Sequence, residues 1–342
     1  MKFDALIVGA GVAGCATAIE LLSMGWRIGI LCRHDVVAVS GMESLPPEVV
    51  SGLTALPIRA GSEFSEVVAW WGSARQSRSI WPGGRIVERV ALAGALRTHA
   101  VEHGATVIES VGRFSIERIH NQRGFGVELA GSGDRRLTAR YLVDATGQAS
   151  AIGRRLGSVR LNVDHLFCVS ASVEEPGLAG TWTESTPRGW WNLCCTRERG
   201  TLSFFSAAKA IRETKEDIIA GFYDTENLCH LLPAPRLGET KIRRCGSSRM
   251  APCAGPGWIS VGDAVSTLQP LASAGVSKAL RDARIVPRAL ERGSGDYDRF
   301  QRAQFELYVR ELAQQYALET RWPQSQFWAT SPREKLNSHS PL

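Results

Sequence analysis

Three glycines near the start of the chain have the spacing that lets a polypeptide backbone hold a phosphate group. Gly9, Gly11 and Gly14 come after the short apolar run at residues 5–8, and a helical pattern follows them. In a strand–turn–helix unit of this kind, the first glycine permits the tight turn and the second lets the backbone approach a pyrophosphate. The third lets the helix pack on the strand, and the helix N-terminus offers amide groups and a partial positive charge. The segment therefore predicts a dinucleotide site.

The second strand of this unit, expected at residues 28–31, ends differently from the usual pattern. In dinucleotide folds an acidic residue at this strand end commonly hydrogen-bonds the ribose. Here Cys32 and Arg33 occupy the place, and Asp35 lies slightly beyond. We expect Arg33 to contact the cofactor, while the sequence leaves the recognition of the ribose open.

Two later strand ends carry small and acidic residues that could face the same cofactor. One apolar strand leads into Asp144 and Gly147, and another ends at Gly262 and Asp263. The Asp263 carboxylate could accept hydrogen bonds from the ribityl chain of a flavin. The helix that begins near Gly275 could direct the positive end of its dipole at the pyrimidine ring, which is negative in reduced flavin. These features favour FAD over NAD.

Composition and charge are those of an ordinary globular protein and argue against several classes. The 342 residues, 44% hydrophobic and 22% charged, suit one large or two medium domains. The net charge of +6 is spread without a run of five like charges, which argues against a nucleic-acid partner. Eight cysteines without a C-x-x-C pair argue against a metal site and favour reduced thiols in a cytoplasmic protein. No apolar run reaches the ~18 residues of a membrane span, so none is expected.

The motifs GAGVAG, DATG and GDA stand in the order and spacing of FAD-dependent monooxygenases of the aromatic-hydroxylase type, which the chain resembles over nearly its whole length. Within that group, MESLPP at residues 42–47 and the strand RGWWNLCC resemble elements of tryptophan-halogenase-like flavoproteins. The C-terminal ETRWPQSQFWATSPRE resembles the tail of a subgroup close to the flavoproteins that mature tryptophylquinone cofactors. The resemblance implies an α/β fold, in which a Rossmann-type FAD-binding domain is interleaved with a sheet-based substrate domain and followed by C-terminal helices.

The same resemblance implies a reaction. It indicates an FAD-dependent monooxygenase that hydroxylates an electron-rich, indole-like ring, free or within a peptide or protein, through a flavin C4a-hydroperoxide. Electrons would come from NAD(P)H or from a separate flavin reductase. Halogenases of this type use a lysine shortly after the G-E-x-x-x-P element, and this chain has none between Lys2 and Lys209. The alternatives are a dehydrogenase or reductase of the same fold, a flavin-dependent halogenase, and a polypeptide-binding flavoprotein without turnover.

The resemblance also extends the expected cofactor contacts and the expected domains. An arginine at the start of the helix in GGRIVERVALAG resembles the flavin-contacting arginine of the family, and Arg89 is the candidate, with a surface ion pair to Glu88 as the alternative. The expected FAD contacts are Gly9, Gly11, Ala13, Gly14, Arg33, Arg89, Asp144, Gly147, Gly262, Asp263, Gly275 and Val276. Residues 1–45, 80–155 and 250–295 would form the FAD-binding domain, residues 46–80 and 156–249 the substrate domain, and residues 296–342 a C-terminal helix and tail.

Two residues are candidates for catalysis and two for substrate binding. Glu43 could act as a general base for a ring N–H or hold a peptide backbone, and Pro270 belongs to the PLASAG loop that resembles the loop beside the isoalloxazine. Trp190 and Trp191 could stack an aromatic substrate. Because successive strand residues face opposite sides, at most one of the two can face a pocket. Lys278 is expected on the solvated face of its helix.

Overall fold

The computed structural model of the protein describes residues 1–33, 41–54, 61–72, 76–110, 113–119, 124–129 and 136–329. The strands are β1 Lys2–Val8, β2 Ile28–Arg33, β3 Met42–Leu45, β4 Ser62–Trp70, β5 Gln76–Glu88, β6 Thr106–Ser110, β7 Phe114–Ile119, β8 Gly124–Leu129, β9 Arg136–Asp144, β10 Val159–Asn162, β11 Phe167–Glu174, β12 Gly180–Thr186, β13 Gly189–Cys195, β14 Arg199–Ser206, β15 Arg236–Leu237, β16 Lys241–Arg244, β17 Ser248–Ala251, β18 Ala254–Gly255, β19 Trp258–Ser260 and β20 Ser266–Thr267. The α-helices are α1 Val12–Leu22, α2 Pro47–Thr54, α3 Arg89–Glu102, α4 Ala151–Arg155, α5 Ala208–Glu216, α6 Ile218–Tyr223, α7 Leu228–Leu231, α8 Gly275–Arg292, α9 Ser294–Ala317 and α10 Gln326–Ala329. Short 3-10 helices lie at Gly147–Ala149, Gly262–Ala264 and Pro270–Ala272.

The first sheet has a parallel centre and carries the glycine loop. Its strands lie in the order β18-β19-β9-β1-β2-β6, and the β7–β8 hairpin is attached to β9. In β1, Ala5 stands opposite Ile28 of β2 and Tyr141 of β9. Side chains of α1, α3 and α8 cover one face of this sheet, and apolar residues of β8 pack on the other. Burial on both faces explains why these strands are short continuous apolar runs. The predicted Rossmann-type α/β fold is confirmed, with the strands expected at 5–8 and 28–31.

The second sheet is nine-stranded, in the order β15-β11-β14-β13-β12-β4-β5-β3, with β16 beside β11. Helices α5, α6 and α7 pack on one of its faces. The sequence pattern predicts one helix over residues 211–224, and this is wrong, because the helix breaks at Asp217. The backbone of Asp217 leaves the helical region, and its carboxylate accepts the amide of Ala220 at 2.8 Å, which caps α6.

Strand β13 shows how the second sheet presents different side chains to its two sides. Trp191 and Leu193 point into the core under helices α5–α7. Trp190, Asn192 and Cys194 alternate with them and point to the opposite side, which we call the inner face. Trp190 there packs in one cluster with Leu271, from the loop after the GDA turn. The inner face is therefore turned toward the segment that resembles the flavin loop.

The segment after α9 is fixed to the second sheet by a buried carboxylate. Glu319 accepts hydrogen bonds from the amide of Gly72 at 3.0 Å, the Ser185 hydroxyl at 2.7 Å and the Arg321 guanidinium at 2.7 Å. Burial alone would raise the pKa of Glu319, but these hydrogen bonds outweigh it and lower the pKa below its ordinary value. The Trp328 indole donates to the backbone oxygen of Thr186 at 2.9 Å and closes the inner face at this end.

The boundaries expected between domains can be placed on the sheets. The boundary at residue 80 falls inside β5, which pairs with β4 along the second sheet, and residues 42–45 form β3, which pairs with β5. The division into an FAD-binding and a substrate domain stays a prediction. Among the helices of the described ranges, none is both long and apolar enough to cross a membrane.

Candidate active site

The glycine loop leaves an open space in front of a bare helix N-terminus. Gly9 has φ +114, and a Cβ on it would lie 2.2 Å from the backbone oxygen of Ala145. A Cβ on Gly14 would lie 2.0 Å from the oxygen of Gly9, so helix and strand touch at this point. Gly11 is the N-cap of α1, no side chain caps the helix, and a Cβ on Gly11 would meet no atom within 4 Å. Free amides facing open space fit a pyrophosphate group.

The GDA turn packs directly on this helix. Gly262 has φ +59, and a Cβ on it would lie 2.6 Å from the Cβ of Ala13. Asp263 follows, is partly exposed, and its carboxylate has no hydrogen bond within the described part of the chain. Gly147, in the DATG turn, has φ +63 and likewise faces open space. Contacts of these residues with FAD stay predictions. The packing of the GDA turn on α1, beside the glycine loop, supports them.

The Asp144 carboxylate points into the protein, and its contact with the cofactor stays a prediction. The residue is fully buried, and its two oxygens accept the amides of Thr146, Ile152 and Gly153 at 2.8–3.1 Å. The Thr146 hydroxyl adds a further hydrogen bond at 2.6 Å. Asp144 therefore orders the DATG turn and the first turn of α4, and the turn rather than the carboxylate borders the site.

Arg160 was not expected from the sequence, yet its side chain links the GDA turn to β17 and to the residue that precedes α4. Its guanidinium donates to the backbone oxygen of Asp263 at 3.0 Å, to the Ser248 hydroxyl at 2.8 Å, and to Ser150. Burial lowers the pKa of Arg160 to about 10, the charge of Arg154 acts in the same direction, and Asp263 and Asp144 act against both. As one of many arginines, Arg160 gives no local signal in the sequence.

Lys278 lies in the interior, and the expectation of a solvated side chain is wrong. Its ammonium donates to Asp282 at 2.6 Å and to the backbone oxygen of Gly262 at 2.8 Å. The same Asp282 oxygen accepts the amide of Gly262 at 3.1 Å, and its other oxygen accepts the Gln301 amide group at 2.9 Å. Both polar groups of Gly262 are thus held by one buried ion pair on α8, which we call the α8 clamp.

Glu43 and Arg89 meet at the start of α8. The Arg89 guanidinium lies 3.1 Å from the Glu43 carboxylate. The Glu43 charge raises the pKa of Arg89, burial opposes the increase, and Asp263 adds to it. A Cβ on Gly275 would lie 3.9 Å from Arg89, which places the guanidinium at the helix start next to Val276. The alternative pair with Glu88 is not formed, because Glu88 pairs with Arg199 at 3.3 Å.

Strand β3 lies between the flavin loop and the inner face. The amide of Met42 donates to the Thr201 hydroxyl on β14 at 3.0 Å, and the hydroxyls of Ser44 and Ser273 are 3.1 Å apart. Burial raises the pKa of the Cys194 thiol to about 12, and the Glu43 charge is among the smaller contributions in the same direction. Glu43 is therefore near the inner face of β13 as well as the start of α8.

The loop that contains Pro270 is held in place by helix α9. Tyr316 accepts a hydrogen bond from the Trp190 indole at 3.1 Å and donates to the Gln269 side chain at 2.8 Å. The backbone amide of Gln269 donates to the Tyr308 hydroxyl at 2.7 Å. Pro270 itself is exposed and begins a 3-10 helix. Its catalytic role stays a prediction. Because a proline ring has no polar group, such a role would consist of shaping the loop.

A row of polar side chains crosses the inner face at the level of Asn192. Thr183, Asn192, Ser203 and Ser170 stand opposite one another on four neighbouring strands. Three are buried, and Asn192 is partly exposed. Its amide nitrogen donates to the backbone oxygen of Trp182 at 3.2 Å and to Thr183 at 3.1 Å. The carbonyl oxygen then remains as an acceptor for a ligand. Alternation from Trp190 could have identified this residue in the sequence.

Trp190 and Trp191 point to opposite sides of the sheet, as expected from strand geometry, but both are 1% exposed. Trp190 stacks on Phe205 with ring centroids 3.8 Å apart, and Trp191 packs against Phe204 and Phe222. Their assignment as substrate contacts stays a prediction. The packing weighs against it, because neither ring could stack a ligand without displacing a neighbour.

Arg33 ends β2 and is exposed, and its role in cofactor binding stays a prediction. Asp35 lies outside the described residues. Within the residues that the structure does describe, no group of three or more histidine, cysteine or acidic side chains could hold a metal ion.

The glycine loop, the two further turns and the covering sheet define an α/β dinucleotide-binding flavoprotein. The family model for tryptophan halogenases matches residues 86–340, most of the chain, and the protein belongs to this family. Because the family and the relatives described below are flavin-dependent, FAD is the cofactor and the protein is an FAD-dependent oxidoreductase. The open space before Gly11 and at Gly147 fits that cofactor.

Similar proteins include both hydroxylases and halogenases. LodB of Marinomonas mediterranea, whose name describes an FAD-dependent oxidoreductase, is 25% identical over 96% of both chains. Among solved structures, the peptidyl tryptophan dihydroxylase QhpG, essential for tryptophylquinone cofactor biogenesis, is 23% identical, with a TM-score of 0.76 over 96% of this chain and 78% of its own. The myxobacterial chondrochloren halogenase CndH is 18% identical, with a TM-score of 0.83 over 98% and 88%. At these identities the solved structures establish the shared fold.

Proposed function

We propose that this protein is an FAD-dependent monooxygenase that hydroxylates an indole-like ring, carried by a small molecule or by a tryptophan in a peptide or protein. Bound FAD would supply the activated oxygen. The space between the flavin loop and the inner face would receive the ring, and Asn192 would accept the ring N–H. Electrons would come from NAD(P)H or from a separate flavin reductase.

The observation that favours hydroxylation over halogenation is the absence of a lysine after the MESLPP element in the sequence. Halogenases of this type rely on a lysine shortly after the element that corresponds to MESLPP, and this chain has none from Lys2 to Lys209. Lys278 does lie beside the GDA turn, but its ammonium is bound to Asp282 and to the Gly262 backbone. It therefore has no free approach to a ring at the inner face.

Glu43 is the proposed general base. Arg89 pairs with its carboxylate at the start of α8, and the adjacent Met42 donates its amide to Thr201 on β14. Both contacts support a position of Glu43 between the flavin loop and the inner face. A carboxylate there can take the proton from the ring carbon that gains oxygen, while the ring N–H stays hydrogen-bonded to Asn192. Positioned general bases typically contribute about 10²–10⁴ in rate.

Replacing Glu43 with glutamine is expected to lower kcat about 100-fold or more while leaving FAD affinity within about a factor of three. The amide keeps the shape but cannot take a proton. The measurement is steady-state oxygen consumption with substrate, combined with a flavin fluorescence titration. Glu48→Gln, an exposed carboxylate on α2, is the matched control and should behave as wild type. Equal activity of both variants would remove Glu43 from the reaction.

The function is tested by supplying reduced flavin to the protein in air with tryptophan, indole or a tryptophan-containing peptide, with and without bromide. We expect a product that gains one oxygen atom from O2, independently of bromide, detected by mass spectrometry with labelled oxygen. The family match makes halogenation the second candidate, and a brominated product would establish it. Reduction of a double bond without oxygen uptake would instead indicate the dehydrogenase or reductase.

A further inference from the structure

The carboxyl end of β2 lacks the group that dinucleotide folds use to bind the adenosine ribose. An acid at this place accepts hydrogen bonds from the ribose hydroxyls. Cys32 stands there instead, and burial raises the pKa of its thiol above the ordinary value. An un-ionised thiol is a weak acceptor, so Cys32 does not replace the missing carboxylate.

The neighbouring strand places a carboxylate beside that position. β6 pairs in parallel with β2, and Glu109 stands directly opposite Cys32. Paired residues of parallel strands point to the same face and lie about 4.8 Å apart. On β6, Val107 packs toward the core that contains α1, whereas Ile108 packs on the other side. Glu109 therefore points to the same side as Val107, toward the helix whose N-terminus borders the glycine loop.

The electrostatic effect of Glu109 on Cys32 agrees with this strand register. The Glu109 charge is, after burial, the main cause that raises the pKa of Cys32. The positive charge of Arg97 on α3 acts in the opposite direction and lowers the pKa of both Cys32 and Cys15. Glu109 is exposed and makes no ion pair or hydrogen bond with the described residues, which leaves its carboxylate available.

We propose that Glu109 binds the ribose of the adenosine half of FAD and supplies from β6 the carboxylate that β2 lacks. The assignment is independent of the reaction that the protein catalyses. It explains how a chain with Cys32 at the usual acidic position retains an adenosine site.

The test compares the affinities of the apoprotein for FAD and for the FAD analogue that contains 2′-deoxyadenosine, measured by fluorescence titration. Wild type should bind the deoxy analogue about tenfold to hundredfold more weakly, the range for a lost hydrogen bond to a charged group. Glu109→Ala should bind both ligands equally, at the weaker level. Glu102→Ala removes an exposed carboxylate from the end of α3 and should keep the wild-type ratio.

A rescue separates ribose binding from a structural effect. Cys32→Glu in the Glu109→Ala background restores an acid at the usual site, and the preference for FAD over the deoxy analogue should return. Unchanged thermal unfolding of the apoprotein excludes a folding defect. The proposal is overturned if Glu109→Ala keeps the wild-type ratio, or if wild type does not distinguish the two ligands.

Discussion

Replacing Gly9 with alanine is expected to destabilise the apoprotein by about 3 kcal/mol or more and to abolish FAD binding. At φ +114 an alanine is strained, and its Cβ would lie 2.2 Å from the oxygen of Ala145. Gly9 and Ala145 directly follow β1 and β9, whose last pair is Val8 and Asp144, and the Ala145 amide donates to the oxygen of Val8 at 2.9 Å. Neither backbone can therefore shift without disturbing the end of the β1–β9 pairing. Thermal unfolding of the apoprotein and a flavin fluorescence titration measure the two effects.

Gly11→Ala is the matched control in the same loop. Its Cβ would meet no protein atom within 4 Å. The change should cost the apoprotein about 1 kcal/mol at most, the difference between glycine and alanine at an N-cap. FAD affinity should nevertheless fall at least tenfold, because the methyl group occupies space before the helix N-terminus. If Gly11→Ala bound FAD as wild type does, the pyrophosphate would lie elsewhere.

The parts of this protein that its sequence predicts are those whose geometry is local. The glycine loop is specified by neighbours within one strand–turn–helix unit. The helix that begins at Gly275 is likewise specified by residues next to it in the sequence. Strand alternation likewise predicts that Trp190 and Trp191 face opposite sides. A pattern of this kind cannot tell what packs on each side. Both rings lie in closed clusters because the next strand, β14, and the helices α6 and α9 cover them.

The features that the sequence does not predict are polar side chains whose positions depend on how the backbone folds around them. The Asp144 carboxylate is directed inward by amides eight and nine residues later, and Asp217 breaks a helix that its apolar pattern would continue. Arg160 reaches a carbonyl 103 residues away. Lys278 was expected on the solvated face of its helix, whereas the backbone oxygen of Gly262 and the Asp282 carboxylate bind its ammonium in the interior. The contacts of Arg160 with Asp263 and of Lys278 with Gly262 join separate elements and have no signature in the sequence.

Lys278→Met is expected to cost about 3–5 kcal/mol of folding free energy, because it leaves the Asp282 carboxylate buried without its counter-charge. FAD affinity should fall at the same time, since the oxygen of Gly262 loses its donor and the GDA turn is held from one side only. Chemical unfolding of the apoprotein and FAD titration give the two quantities. Lys209→Met, at an exposed lysine on α5, is the control and should change neither.

The double variant Lys278→Met with Asp282→Leu separates stability from the role of the α8 clamp. Replacing a buried ion pair by apolar side chains of similar volume is often neutral, so part of the lost stability should return, less the cost of leaving Gln301 without its acceptor. FAD affinity should stay low, because the backbone N–H and C=O groups of Gly262 have then both lost their hydrogen-bond partners. If FAD affinity recovered together with stability, the clamp would support the fold alone, and the position of the GDA turn would depend on its packing against Ala13.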